Sequence, residues 1–161
     1  MPNMTRRVFT HSTEFVVWAV KGKKWKFNYN ELKEINPEKQ KDGSLKQMRD
    51  VWSMPLVQGN ERLRDSKNKT LHPTQKPVAL IKKLIEIFTD EGDIVIDPVA
   101  GSGTTLIAAM ELNRKAYGFE IKKNFYKDAQ DLIKQSMQKK IDIQELGYAK
   151  TEIEKDYPSL F

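Results

Sequence analysis

Ile94-Val95-Ile96-Asp97-Pro98-Val99-Ala100-Gly101-Ser102-Gly103-Thr104-Thr105 carries the reading of the fold. Its apolar opening predicts a strand and its glycines a tight turn; the following Leu106-Ile107-Ala108-Ala109-Met110 predicts a helix. A second strand, Ala116-Tyr117-Gly118-Phe119, ends in Glu120. Strand, glycine turn, helix, strand and acid in this order describe a nucleotide-type cofactor site. Lacking a Cβ, Gly101 and Gly103 allow a sharp turn and close approach of a ligand to backbone amides. Asp97 and Glu120 fall at neighbouring strand ends, where carboxylates can accept hydrogen bonds from ligand amine and ribose hydroxyl groups.

Three ligand classes use such turns. A phosphate-binding loop needs Lys and then Ser or Thr directly after its last glycine, but Thr104 follows Gly103 here. A dinucleotide fingerprint needs a small residue three places after the second glycine, and that place holds Leu106. The remaining reading is S-adenosylmethionine, which has an amine, a sulfonium and a ribose but no phosphate. Such a ligand suits acidic side chains beside the turn.

The same residues resemble the cofactor motif of the β group of DNA amino-methyltransferases, which modify the exocyclic amine of adenine or cytosine. His72-Pro73-Thr74-Gln75-Lys76-Pro77 is similar to the short motif that precedes the glycine motif in that group. Gly118-Phe119-Glu120-Ile121, with Phe125-Tyr126 and Ala129, resembles the element that follows it. Upstream, Val51-Trp52-Ser53-Met54-Pro55 and Glu61-Arg62 resemble the stretch before the His-Pro motif. Phe9-Thr10-His11-Ser12-Thr13-Glu14-Phe15, with Trp18-Ala19-Val20-Lys21, resembles the end of the family's catalytic half. A glycine motif alone is weak evidence; five elements in one family's order are specific.

The resemblance implies an α/β chain, part of a Rossmann-like S-adenosylmethionine-dependent methyltransferase fold with an irregular insertion. It divides the chain into the end of a catalytic half (1–21), a basic target-recognition region (22–71), a cofactor-binding part (72–140) and a tail (141–161). The implied activity is site-specific DNA methylation of restriction–modification type on double-stranded DNA, with adenine the commoner target. The implied location is the cytoplasm, in a bacterial or phage setting.

Composition agrees with a soluble globular domain: 161 residues, 39% hydrophobic and 31% charged. Phe15 to Val20 is the longest apolar run, too short to cross a membrane. The N-terminus lacks a secretory apolar region, and zero cysteines exclude disulfides and thiolate chemistry. The net charge of +6 is unevenly placed: Lys21 to Lys76 holds 14 Lys or Arg against 7 Asp or Glu. That excess suits contact with a phosphate backbone; a solvated lysine-rich loop is the plainer alternative.

Along the chain, residues 14–20 predict a buried strand and 25–29 a short second one. From Asn30 to Leu71 periodicity is poor, with a short helix around Tyr29 to Ile35. Pro77 opens a helix whose apolar face is Ile81, Leu84, Ile85 and Phe88. Phe125, Ala129, Leu132, Ile133 and Met137 mark another helix covering the sheet, and the tail from Ile141 can hold a short helix.

The family's catalytic signature, an Asp, Asn or Ser followed by Pro-Pro and an aromatic residue, is absent, so this chain is expected to supply no catalytic residue. The three or four strand candidates are also fewer than the family's full sheet. The resemblance thus places Met1 in the middle of a full-length enzyme. It implies that the chain is inactive alone and works with a partner chain carrying the catalytic half, or self-associates. A subunit or fragment of a methyltransferase whose catalytic half lies elsewhere and a non-catalytic DNA-binding remnant both stay open, while the missing lysine and third small residue argue against an unrelated nucleotide-binding protein.

Candidate cofactor contacts are Asp97, Pro98, Ala100, Gly101, Ser102, Gly103, Thr104, Thr105 and Glu120, with His72, Thr74, Lys76 and Pro77 from the preceding motif. By resemblance, Thr74 and Lys76 hold the methionine end. Glu120, 17 residues after Gly103, stands near the roughly 20-residue spacing of a ribose-binding acid. Ser102, Thr104 and Thr105 either bond the ligand or cap the helix. His72 has no second ligand at metal spacing, so no metal site is expected. His11 and Glu14 read as structural or substrate-adjacent, and Trp52 as a packing anchor or a base-stacking ring.

Overall fold

The computed structural model describes residues 13–55, 57–64, 68, 70, 72 and 74–156, of which residue 60 and 143–156 are described by backbone alone. His11 and Pro73 lie outside the described residues. Helix α1 spans Tyr29–Glu34 and a 3-10 turn Gly59–Glu61. Then follow α2 (Val78–Phe88), β1 (Ile94–Asp97), α3 (Thr104–Glu111), β2 (Lys115–Gly118) and α4 (Lys123–Asp156). Strands β1 and β2 pair in parallel, with Ile94 opposite Lys115 and Asp97 opposite Gly118. A parallel pair needs a crossover, and α3 supplies it.

The core explains the order. Ile85 of α2 and Ala108 and Ala109 of α3 are buried together, with Val95 and Ala116 of the sheet packed against them. The two alanines let α3 lie close to both strands, and Gly118 takes this furthest. A Cβ there would stand 2.7 Å from Leu106 Cδ1 and 2.9 Å from Ala100 Cβ. Ion pair Lys82–Glu111 (2.6 Å) ties α2 to α3 at the surface. Arg114 fastens the turn before β2 to the end of α2, donating from Nε to Thr89 Oγ1 (3.0 Å) and from Nη2 to the Thr89 carbonyl (2.9 Å).

Among the described residues, only one face of the sheet is covered. Val95 and Ala116 pack on α2 and α3, while Ile94, Ile96, Tyr117 and Phe119, alternating with them, are exposed. Alternation on this scale follows from the period of two in a strand.

Residues 14–20 are not a buried strand: Phe15 is 91% and Val17 88% exposed, and the segment has no ladder partner among the described residues. A strand needs a hydrogen-bonded neighbour, and among the described residues the sheet consists of β1 and β2 alone. Nor is 25–29 a strand. It lies on the end of α2, where the Asn28 amide N–H donates to the Ile87 carbonyl (2.7 Å) and Asn28 Nδ2 to the carbonyls of Glu86 and Thr89. Trp18, Phe27 and Phe88 cluster there, with ring centroids 5.2–5.9 Å apart. The expected helix near Tyr29 is present as α1. Helix α4 runs unbroken past residue 140 to Asp156, where a separate short helix was expected, and Met137 on its expected apolar stripe is exposed.

Candidate functional site

The site begins where β1 ends. Asp97 Oδ1 accepts the Val99 N–H (3.0 Å), which turns the chain sharply after the strand. Gly101 and Gly103 then adopt φ of +52° and +76°, the left-handed region that L side chains rarely occupy, and Gly103 stands at the N-terminus of α3. Behind Gly103 lies Ala129 of α4; a Cβ on the glycine would meet the alanine Cβ at 3.3 Å.

Glu120 reaches this turn from the end of β2. Its Oε2 accepts the Gly101 N–H (3.0 Å) and its Oε1 the Lys122 N–H (2.9 Å). These bonds, Lys122 first, hold the carboxyl pKa below the ordinary glutamate value. Ser102 Oγ and Thr104 Oγ1, both buried, bond one another (2.8 Å), and no side chain caps α3. The capping expectation for these hydroxyls is therefore not met. The first amides of α3, at Thr104 and Thr105, have no acceptor within the helix.

The 72–77 segment forms the opposite wall. Gln75 moors it: Oε1 accepts the Leu63 N–H (3.1 Å) and Nε2 donates to the Glu61 carbonyl (2.7 Å). Glu61 also caps α2 by accepting the Val78 N–H (2.8 Å) with Oε1. Pro77 precedes the first turn of α2 as its cap residue instead of occupying that turn. Lys76 Nζ pairs with the Glu14 carboxylate, and both side chains are substantially exposed. His72 is 4% exposed, its ring 4.2 Å from that of Phe125 between centroids. Burial pulls its pKa below the ordinary histidine value, partly opposed by the carboxylates of Asp128 and Glu120. His72 Nε2 is buried without a hydrogen-bond partner among the described residues.

These walls line a half-open cavity of about 460 Å³, within the range of small-molecule sites. Of the residues expected at the site, Asp97, Ala100, Gly101, Ser102, Thr104, Thr105, Glu120, His72, Thr74 and Lys76 line it. Pro98, Gly103 and Pro77 do not; they shape the turns that carry the lining residues. Gln75, Ile81, Val99, Lys122 and Phe125 also line it and were not among the expected contacts. Gln75 and Phe125 belong to stretches already singled out, but nothing in the sequence marks their long-range partners. Trp52 is half-buried and donates locally to the Arg49 carbonyl (2.6 Å). Among the described residues no cluster of His, Asp or Glu could hold a metal ion, and no helix is long and apolar enough to cross a membrane.

Residues 1–131 match the DNA methylase family model N6_N4_Mtase. The chain belongs to the DNA methylase family. Over 131 residues it is 41% identical to the type II methyltransferase M2.DpnII of Streptococcus pneumoniae, covering 80% of this chain and 44% of that protein. Type II methyltransferase M2.LlaDCHI of Lactococcus lactis subsp. cremoris is 40% identical over equal shares. Among solved structures, M1.HpyAVI in complex with SAM superposes with a TM-score of 0.55 at 36% identity, over 81% of this chain and 55% of that one. The α/β, Rossmann-like fold of this chain is thus shared with a methyltransferase, and the chain spans less than half the length of the curated relatives named here.

Proposed function

We propose that this DNA methylase chain is the S-adenosylmethionine-binding part of a restriction–modification methyltransferase that acts on an exocyclic base amine, adenine foremost. The carrying observation is that two separate stretches, 72–76 and 97–105, meet with Glu120 around one cavity. The lining chemistry fits that cofactor. Asp97 and Glu120 are acceptors for an amine and for ribose hydroxyls, the first amides of α3 are donors, and the buried His72 Nε2 lacks a partner among the described residues. Lys76 is held by an exposed pair with Glu14, worth little in water, so it can turn to a ligand carboxylate.

The cofactor, when bound, supplies an electrophilic methyl group on sulfur. This chain fixes its position: the left-handed glycines bring the backbone close, and Glu120 keeps the turn in one shape. Duplex stacking hides a base amine, so the target base must leave the helix, and the reaction then depends chiefly on alignment. The basic 22–71 region is the part suited to hold the DNA backbone. The residues that grip the amine belong to the portion of the relatives that this chain does not match. The exposed sheet face supports association with a polypeptide bearing that portion, since parallel sheets are normally covered on both sides.

Calorimetric titration of S-adenosylmethionine into wild type and Asp97→Ala tests the cofactor assignment. Heat of binding is expected for wild type and a loss for the variant; a folded wild type without heat overturns it. Labelled-methyl transfer to duplex DNA, with and without a polypeptide carrying the Pro-Pro-aromatic signature, tests the activity. Salt-dependent DNA binding without cofactor affinity or rescue would favour the non-catalytic remnant.

A further inference from the structure

Between Glu14 and Lys21 the chain is apolar at every position, and every one of these residues is exposed. The exposure nevertheless alternates. Phe15 and Val17 are 91% and 88% exposed, whereas Val16, Trp18 and Val20 are 60%, 51% and 45% exposed. A period of two is that of a strand, with one row leaning on the domain and the other facing away. Trp18 is the point of rest: its ring centroid lies 5.2 Å from that of Phe88 and 5.7 Å from that of Phe27.

The segment is also held straight. Glu14 pairs with Lys76 just before α2 starts, and Trp18 meets Phe88, the last residue of that helix. A helix of 11 residues is about 16 Å long. The step from Glu14 to Trp18 covers about 13 Å, and only when extended. It leads from the cavity rim, at Lys76, towards the start of β1, where Lys26 pairs with Asp93. Its direction is therefore antiparallel to β1.

A strand needs hydrogen-bonded neighbours, and among the described residues this one has no backbone partner. Such an edge is a template for a strand from another chain. Nucleic acid does not suit it, since no charge lies between Glu14 and Lys21. An apolar polypeptide does. This chain covers 44% of M2.DpnII and 44% of M2.LlaDCHI, so more than half of each relative lies in the portion it does not match.

We propose that residues 14–20 form an antiparallel strand in a sheet completed by the polypeptide that carries this unmatched portion. This rests on the partner reading given above and adds a second contact, made by main chain. Ile94, Ile96, Tyr117 and Phe119 offer that polypeptide a face to cover, and residues 14–20 offer it an edge to extend.

The test mixes the whole chain with the portion of M2.DpnII that it does not match, and reads association by sedimentation and amide exchange by mass spectrometry. Exchange at 15–20 is expected to slow roughly a hundredfold in the complex. Neighbouring amides of a strand point to opposite edges, so at least one of Val16→Pro and Val17→Pro is expected to abolish association. Circular dichroism of both variants should match wild type, since no ladder of the isolated chain is broken. Association with unchanged exchange at 15–20, or association that survives both prolines, overturns the proposal and spares the partner reading. Absence of association overturns both. Dimers of this chain alone that protect 15–20 also overturn it, because the edge then belongs to a second copy.

Discussion

Glu120 closes on Gly101: the carboxylate accepts the glycine N–H at 3.0 Å across 19 positions of sequence. The same carboxylate accepts the Lys122 N–H, so one side chain fixes the glycine turn to the end of β2. The acid expected to face a ribose is thereby also the clamp that sets the shape of the turn.

Glu120→Gln replaces one acceptor oxygen by a donor and leaves an amide N–H without its bond. S-adenosylmethionine affinity is expected to fall about tenfold or more, read by calorimetry. The acid dependence follows from the sign of the shift. The folded pKa lies below the ordinary glutamate value of 4.5, so the stabilisation is present above that value and is lost as pH falls through the lowered one. Melting temperatures of wild type and variant should differ near neutrality and converge only in acid, below the ordinary glutamate value. Convergence at neutral pH would show that the clamp contributes nothing.

Gly103→Ala forces a Cβ into the left-handed region, at 3.3 Å from Ala129 Cβ. A loss of about 1–2 kcal/mol is expected in urea unfolding, with the turn displaced from α4. Gly101→Ala meets only the Val99 carbonyl, at 3.8 Å, so its loss of stability should be smaller. Equal losses would mean that packing against α4 is unimportant.

Gln75→Ala removes the bonds to Leu63 and Glu61 that moor the 72–77 wall. Stability should drop by about 1–2 kcal/mol. Cofactor affinity should also fall, through loss of wall position. Glu61→Ala uncaps α2 and is expected to cost about 1 kcal/mol in the same measurement.

Ile96→Lys places a charge on the exposed sheet face, away from the cavity lining. Its cofactor binding heat should match wild type, whereas methyl transfer restored by an added catalytic half should be lost. Undiminished rescue would show that this face is not where the second polypeptide sits.

Much of this site was legible in the sequence because its chemistry is local. The strand Ile94–Asp97, the glycine turn, α3 and Glu120 are set by neighbours a few residues away, and the structure places them as expected. Residues 14–20 were misread because their β-branched and aromatic composition reports a tendency to be buried, while burial itself requires a sheet neighbour. Gln75 and Phe125 stood in the quoted motifs but were not counted as site contacts, because their partners lie 12 residues or more away, at Leu63, Glu61 and His72. Ile87, 1% exposed, lies off the expected stripe of α2, and its carbonyl accepts the Asn28 N–H from a segment far away in sequence.

The missing side chain at position 118 sets a rule of exchange with its neighbours. Leu106 and Ala100 already fill the space that a methyl group would need. Among homologous domains, a bulkier residue in that strand is therefore expected only alongside a trimmed one in the crossover helix. The two positions then vary together, conserving their summed volume while neither is fixed by itself.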